Sequence, residues 1–286
     1  MNHLLKQLNR NLPGRVFRLL KRKIYNPLIP FLVGNYAKEQ VSLDDKSTAN
    51  NTFPFQISYY SCPIINPPSQ HHVFKNKLHN LDLILSKMQG LIIRPKEVFS
   101  FWQLVGEPNK EKGFLEASTF INHKVVMTVG GGICQLSGLL YNVALLGGCK
   151  ILERHPHSID AYGENRYIPL GQDATVTYPR KDISFQNPHN YSLLLVLEIM
   201  PEKASGWLYA SEPASFSVEV IVSPPKVTKS TLIKTVDSLL TKEEIVEKGL
   251  DSKTVKAWRI IKSDNRVIKK ELLSQDNYLS TPTWSD

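Results

Sequence analysis

The sequence predicts an α+β fold: a mixed or antiparallel sheet, one helix buried against it behind a glycine-rich turn, and a small β module at the C-terminus. Three observations predict it. The stretch from Cys134 to about Gly147 is apolar on nearly every face, the pattern of a helix enclosed by protein. Between Asp182 and Val222, short apolar and aromatic runs alternate with turn residues such as Pro188-His189-Asn190. Beyond Pro224-Pro225 the chain turns to short strands of alternating polarity.

Residues 1–25 combine Lys6, Arg10, Arg15, Arg18, Lys21, Arg22 and Lys23 with leucines at helical spacing, and no acid precedes Glu39. This basic amphipathic pattern, broken at Pro13-Gly14, has two readings: a helix packed on the body, or one lying on an anionic membrane surface. Its apolar runs are too short to span a bilayer. No apolar region with a small-residue cleavage site follows, so no secretory signal is expected. Residues 26–70 read as an irregular arm punctuated by prolines. Val73 to Gln89 reads as a helix, with Leu78, Leu81, Leu85 and Met88 at three- and four-residue spacing and Gly90 closing it. Leu91-Ile92-Ile93 is a short strand. Thr119 to Val129 is a β-hairpin about Asn122-His123, which makes His123 a turn residue.

Further on, Ile151 to Ser158 reads as a strand, and Pro169 to Tyr178 as a turn followed by a strand. Asp182 to Asn187 and Tyr191 to Met200 are two more, and residues 207–222 add one or two. In the tail, Ser230 to Val236, Val255 to Lys262 and Arg266 to Leu273 read as strands, the last two joined at Asp264-Asn265. The chain thus divides into a basic helix and arm (1–70), a central domain (71–223) and a β module (226–286).

Hydrophobic content of 42% and charged content of 21% over 286 residues are ordinary for a globular chain with a sizeable core. The net charge of +9 sits mostly in the N-terminal segment, so no nucleic-acid partner is expected. Cys62, Cys134 and Cys149 make no even framework, which points to free thiols in a reducing, cytoplasmic compartment. Cys149 reads as a buried small hydrophobe.

The chemistry centres on Gly130-Gly131-Gly132-Ile133-Cys134-Gln135. A thiol at a helix N-terminus is stabilised as the reactive thiolate. His155 and His157 follow in Glu153-Arg154-His155-Pro156-His157-Ser158, both on one face if that segment is extended. Asp173 lies on the next predicted strand. Cys134 as nucleophile, His155 or His157 as base and Asp173 as orienting group make one hypothesis, with Gln135 or the N–H groups of the glycine turn holding an oxyanion. A second is a zinc site from Cys134, His155 and His157, with Asp173 or His189 as fourth ligand. A third is binding without chemistry, in a pocket of Trp102, Phe101, Tyr141 and Tyr162. There Arg154 either clamps a ligand carboxylate or pairs internally with Glu153.

Pro95-Lys96-Glu97-Val98-Phe99-Ser100-Phe101-Trp102, Val105-Gly106-Glu107-Pro108, Lys112-Gly113-Phe114-Leu115-Glu116, the Gly130–Asn142 run, the Glu153–Ser158 run and Ala174-Thr175-Val176 together resemble the VanW family, in its stand-alone form, over roughly residues 70–200. The resemblance implies a link to glycopeptide resistance and the cell envelope; a peptidoglycan precursor or peptide is the expected partner, and no cofactor is expected. It marks Gly130, Gly131, Gly132, Cys134, Gln135, Ser137, Tyr141, Asn142, Glu153, Arg154, His155, His157 and Ser158 as site positions. The chain departs from it at Gly138, where relatives carry a polar residue. Residues 226–286 are distantly similar to a G5 domain. An envelope role and a cytoplasmic thiol meet if residues 1–25 hold the chain at the inner membrane face.

Overall fold

The computed structural model describes residues 35–43, 51–65, 68–121, 124–160, 163–229 and 251–280. The basic N-terminal segment, the Asn122-His123 turn, Tyr162 and the expected strand at Ser230 to Val236 lie outside the described residues. Among those described, no helix is long and apolar enough to cross a membrane.

The elements are β1 (Phe55–Pro63), α1 (Phe74–Ser86), β2 (Leu91–Ile93), β3 (Val98–Ser100), α2 (Phe101–Val105), β4 (Glu116–Ile121), β5 (Lys124–Val129), α3 (Cys134–Leu146), β6 (Lys150–Glu153), β7 (Ser184–Gln186), β8 (Leu193–Ile199), β9 (Lys203–Ala210), β10 (Ser217–Val222), β11 (Lys226–Thr228), β12 (Ser252–Ser263) and β13 (Arg266–Tyr278). The named strands pair antiparallel throughout: β1-β9-β8-β2, β3-β7-β6, the β4–β5 hairpin, and β10-β12-β11 with β13 also on β12. The molecule is an α+β structure, as its patterning predicts.

Helix α3 occupies the centre. Every residue from Gln135 to Leu145 is buried, and Leu136, Leu139, Leu140 and Val143 share one core with Leu193, Leu195 and Leu208 of β8 and β9. Truncating one such leucine to alanine costs about 2–5 kcal/mol. The helix approaches β9 closely because Gly206 has no side chain: a Cβ there would lie 2.9 Å from Val143 Cγ2. Beside it, Phe99 of β3 and Phe185 of β7 are register partners and stack with ring centroids 4.6 Å apart.

Three expectations are corrected. The arm over residues 26–70 is not irregular throughout, because Phe55–Pro63 forms the nine-residue strand β1 on the edge of the main sheet. Its prolines sit at or beyond its end, where a missing N–H costs no ladder bond. The segment from Ile151 to Ser158 is a strand only through Glu153. Pro156 cannot donate to a ladder, and the chain beyond Glu153 runs as loop. Pro169 to Tyr178 also forms no strand beyond a single bridge, Thr177 to Lys181. Its carbonyls are taken instead by side chains: Asn142 binds Gln172 O at 2.8 Å, Arg154 binds Asp173 O at 2.7 Å and Ser137 binds Ala174 O at 2.7 Å.

The tail hairpin turns at Asp264 and Asn265, both at positive φ (48° and 61°), the conformation a tight two-residue turn requires. The sheet continues across Pro224-Pro225, since β10 before it and β11 after it both pair with β12.

Candidate active site

Cys134 opens α3, directly after a turn built by the three glycines. Gly130 and Gly132 adopt φ of 79° and 88°, which an L side chain rarely tolerates. Gly131 packs so tightly that a Cβ would meet Ala117 O at 2.0 Å. Asn80 of α1, wholly buried, pins the turn: its amide donates to Gly131 O at 3.1 Å and to Leu115 O at 3.0 Å, and its oxygen accepts from Leu115 N at 2.9 Å.

The half-buried thiol lies 3.2 Å from Thr175 Oγ1 and 3.8 Å from Val176 O. Its electrostatic partner is His157, near enough for each side chain to shift the titration of the other. His157 Nδ1 sits 2.7 Å from Asp173 Oδ2, and the same oxygen accepts the His157 backbone N–H at 2.7 Å. With Nδ1 taken by Asp173, Nε2 is the ring nitrogen left for sulfur. The His157 side chain is 30% exposed, so the Cys134–His157 pair is reachable from outside while Asp173 behind it is enclosed.

Electrostatics polarise this pair. Burial by itself would raise the Cys134 pKa; His157, with Thr175 and Val176, reverses that and brings it down to about 7. Burial would lower His157; Asp173 and Cys134 outweigh it and lift its pKa to about 9. Burial likewise opposes the Asp173 carboxylate, but His157, Arg154 and Tyr278 hold its pKa below the ordinary carboxylate value. The arrangement therefore favours thiolate beside imidazolium, as an activated cysteine requires.

Of the two candidate bases, the structure brings only His157 to the thiol. His155 Nε2 pairs with Glu153 Oε1 at 3.0 Å, so the two imidazoles do not share one face, as an extended segment would have placed them. Among the described residues, no group of three or more His, Cys, Asp or Glu side chains is arranged to hold a metal ion. His189 stacks on Tyr191 and Phe216 and contacts Gly147 O at 2.9 Å, at the far end of α3.

Most of the remaining expected ligand contacts are turned inward. Gln135 donates to Cys62 Sγ at 3.1 Å and Pro63 O at 3.0 Å, which removes its amide from an oxyanion role. Cys134 is the first residue of α3, so its backbone N–H belongs to the opening turn, whose N–H groups have no acceptor within the helix. Trp102 is buried and donates its indole N–H to Lys181 O at 2.6 Å. Phe101 is wholly buried against it, edge to face. Tyr141 is buried beneath the Arg154 guanidinium, 5.1 Å from its ring centre. Arg154 does not pair with Glu153; it bridges Asp173 at 3.1 Å and Asp276 at 2.6 Å. Ser158 is exposed, and its carbonyl accepts from Leu279 N at 2.8 Å.

Sequence reasoning missed four residues. Thr175 stood in a quoted motif without a role. Asn80 carried no local signal. Asp276 and Tyr278 lie more than a hundred residues from their partners, and Tyr278 Oη meets Asp173 Oδ1 at 2.5 Å.

Residues 76–209 match the family model described as "VanW like protein". The vancomycin B-type resistance protein VanW of Enterococcus faecalis (strain ATCC 700802 / V583) is 28% identical over 170 residues, 58% of this chain and 62% of that protein. Protein YoaR of Bacillus subtilis (strain 168) is 35% identical over 121 residues, 42% of this chain and 39% of that protein. The chain thus spans less than two thirds of either relative. No solved structure matches. The chain therefore carries a VanW-like region, and Cys134, His157 and Asp173 all lie within it.

Proposed function

We propose that Cys134, His157 and Asp173 form a cysteine-dependent acyl-transfer centre acting on amide or peptide bonds. The observation that carries this reading is the continuous chain from half-buried sulfur to accessible imidazole to enclosed carboxylate. The thiolate attacks the carbonyl carbon, and the displaced electron pair moves to oxygen. The N–H of Cys134 at the start of α3 faces that oxyanion. Collapse breaks the C–N bond, and His157 gives its proton to the departing nitrogen, leaving a thioester and a neutral imidazole. Water or an amine then attacks the thioester, yields its proton to His157 and releases the thiolate. Asp173 holds the ring in the required tautomer throughout.

The name of the Enterococcus faecalis relative, a vancomycin B-type resistance protein, supports a role for such chemistry in glycopeptide resistance, with a peptidoglycan precursor or peptide as the proposed substrate. The basic residues 1–25 would keep the chain at the inner membrane face. A pocket without chemistry is the weaker reading, because Trp102 and Arg154 already donate within the protein.

The test is iodoacetamide alkylation of Cys134 against pH, in the full chain with Cys62 and Cys149 replaced by alanine. A midpoint near 7 that climbs in His157→Ala supports the centre. A midpoint at the free-thiol value of about 8.5, indifferent to His157, refutes it. Fractionation with and without residues 1–25 tests the location; unchanged membrane association counts against it.

A further inference from the structure

The C-terminal hairpin lies outside the family match, yet two of its side chains end at the centre of the site. Tyr278, wholly enclosed at 1% exposure, places its hydroxyl between two groups: it donates to Asp173 Oδ1 at 2.5 Å and accepts from Gly171 N at 2.8 Å. Asp276, two residues earlier on the same face of β13, takes Arg154 Nη1 at 2.6 Å, with Ser274 Oγ also donating to it at 3.1 Å. Arg154 is thereby shared: its closer carboxylate is Asp276 and its more distant one is Asp173.

We propose that the β12–β13 hairpin is the positioning element of the triad, with Tyr278 and Asp276 setting how much of the Asp173 carboxylate is left for His157. This inference rests on the acyl-transfer reading of the site.

The two contacts act with opposite sign. The Tyr278 hydroxyl draws negative charge from Asp173 and weakens its pull on the imidazolium. The Asp276 carboxylate neutralises Arg154, which would otherwise lay its full charge against Asp173 and weaken the same pull. The charged and titratable groups acting on His157 are Cys134 on α3 and Asp173 on the loop before β7; Arg154, just after β6, and Tyr278 of the hairpin meet Asp173, and Asp276 reaches it through Arg154. Only the hairpin's residues come from outside the matched region. A purely structural clasp would instead loosen His157 whichever contact were cut.

The experiment is NMR titration of the full chain labelled in its histidine rings, with the His157 signal identified by its loss in His157→Gln. Tyr278→Phe keeps the ring and removes the hydroxyl; it should raise the His157 midpoint by about half a unit or more. Asp276→Asn should lower it by a similar amount, and Asp276→Glu should restore it. Midpoints that do not move, or that move in the same direction in both variants, overturn the proposal. If Asp276→Asn does not fold, Tyr278→Phe alone decides: a rise supports the proposal, and a fall or no change overturns it. The two readings fail separately. A Cys134 alkylation profile indifferent to His157→Ala removes the acyl-transfer centre; a dependent profile with a His157 midpoint indifferent to the hairpin removes only the hairpin's role.

Discussion

The side-chain amide of Asn80 donates to the carbonyl of Gly131 at 3.1 Å, joining α1 to the turn that presents Cys134, across 51 residues of sequence. The same amide group serves both backbone atoms of Leu115. Asn80→Ala takes this partner from Gly131 O and Leu115 N, while Leu115 O still accepts from Gly130 N at 3.0 Å; the cost is about 1–3 kcal/mol for each group left without a partner. The expected outcome is a fall in melting temperature of about 5 °C or more, together with slower alkylation of Cys134 under conditions where the variant is still folded. Unchanged alkylation would mean that the turn holds its shape without Asn80.

Gly138 is a mid-helix glycine, and alanine would gain about 1 kcal/mol of helix propensity. The structure opposes that gain, because a Cβ would lie 2.4 Å from Ile168 Cδ1. Gly138→Ala is therefore expected to destabilise by about 1–3 kcal/mol, as overpacking does. Ile168→Val removes the offending methyl. Urea unfolding of both single variants and the double variant checks this: the double should be more stable than Gly138→Ala alone.

Folded His157 keeps its proton up to about 9, whereas an unfolded histidine releases it near 6.5, about its ordinary value. The folded state binds the extra proton between those values. This contribution is whole below about 6.5 and is lost as pH rises through about 9. Cys134 has the opposite sign: its folded value of about 7 lies below the free thiol, so its share is present in alkali and lost as pH falls through 7. With Cys134 replaced by alanine, which removes the thiol's opposing share, the stability gap that His157→Ala opens should be widest near pH 6 and narrow as pH rises towards 10. Thermal melts across that range would refute the assignment if the gap widened instead.

Burial pushes the Cys62 thiol up to about 11, only partly offset by Gln135 and Lys77, and the Cys149 thiol up to about 12. Near neutral pH, brief labelling of the folded chain should therefore modify Cys134 alone, and labelling in denaturant should modify all three cysteines. Peptide mass spectrometry distinguishes the sites. Prompt labelling of Cys62 in the folded chain would contradict its enclosure.

The sequence is most readable where one segment satisfies its own physics. Helix α3 is apolar all round, so its burial and its glycine-turn entry could be read directly. The choice between His155 and His157 could not. Both stand in one motif, and the outcome rests on which ring reaches Asp173, a contact made only after the loop leaves β6. Strand β1 was hidden because prolines surround its apolar residues and its exposure pattern does not alternate cleanly. Asp276 and Tyr278 had no local mark at all, since an alternating strand conceals which of its inward residues will meet a carboxylate more than a hundred positions away.

Arg259 of β12, with a side chain only 5% exposed, donates to Cys149 O at 2.7 Å just past the end of α3. A cation thus stands at the negative pole of the helix and a thiolate at its positive pole, both favoured by the aligned peptide dipoles. The charges around Asp173 are similarly enclosed: Arg154, Asp173 and Asp276 are 6%, 9% and 4% exposed. Mobile ions screen such charges far less than surface ones. The reactivity of Cys134 should consequently hold nearly constant from dilute buffer to about 1 M salt, where the Debye length is about 3 Å, so the sulfur would keep its reactivity across environments of very different ionic strength.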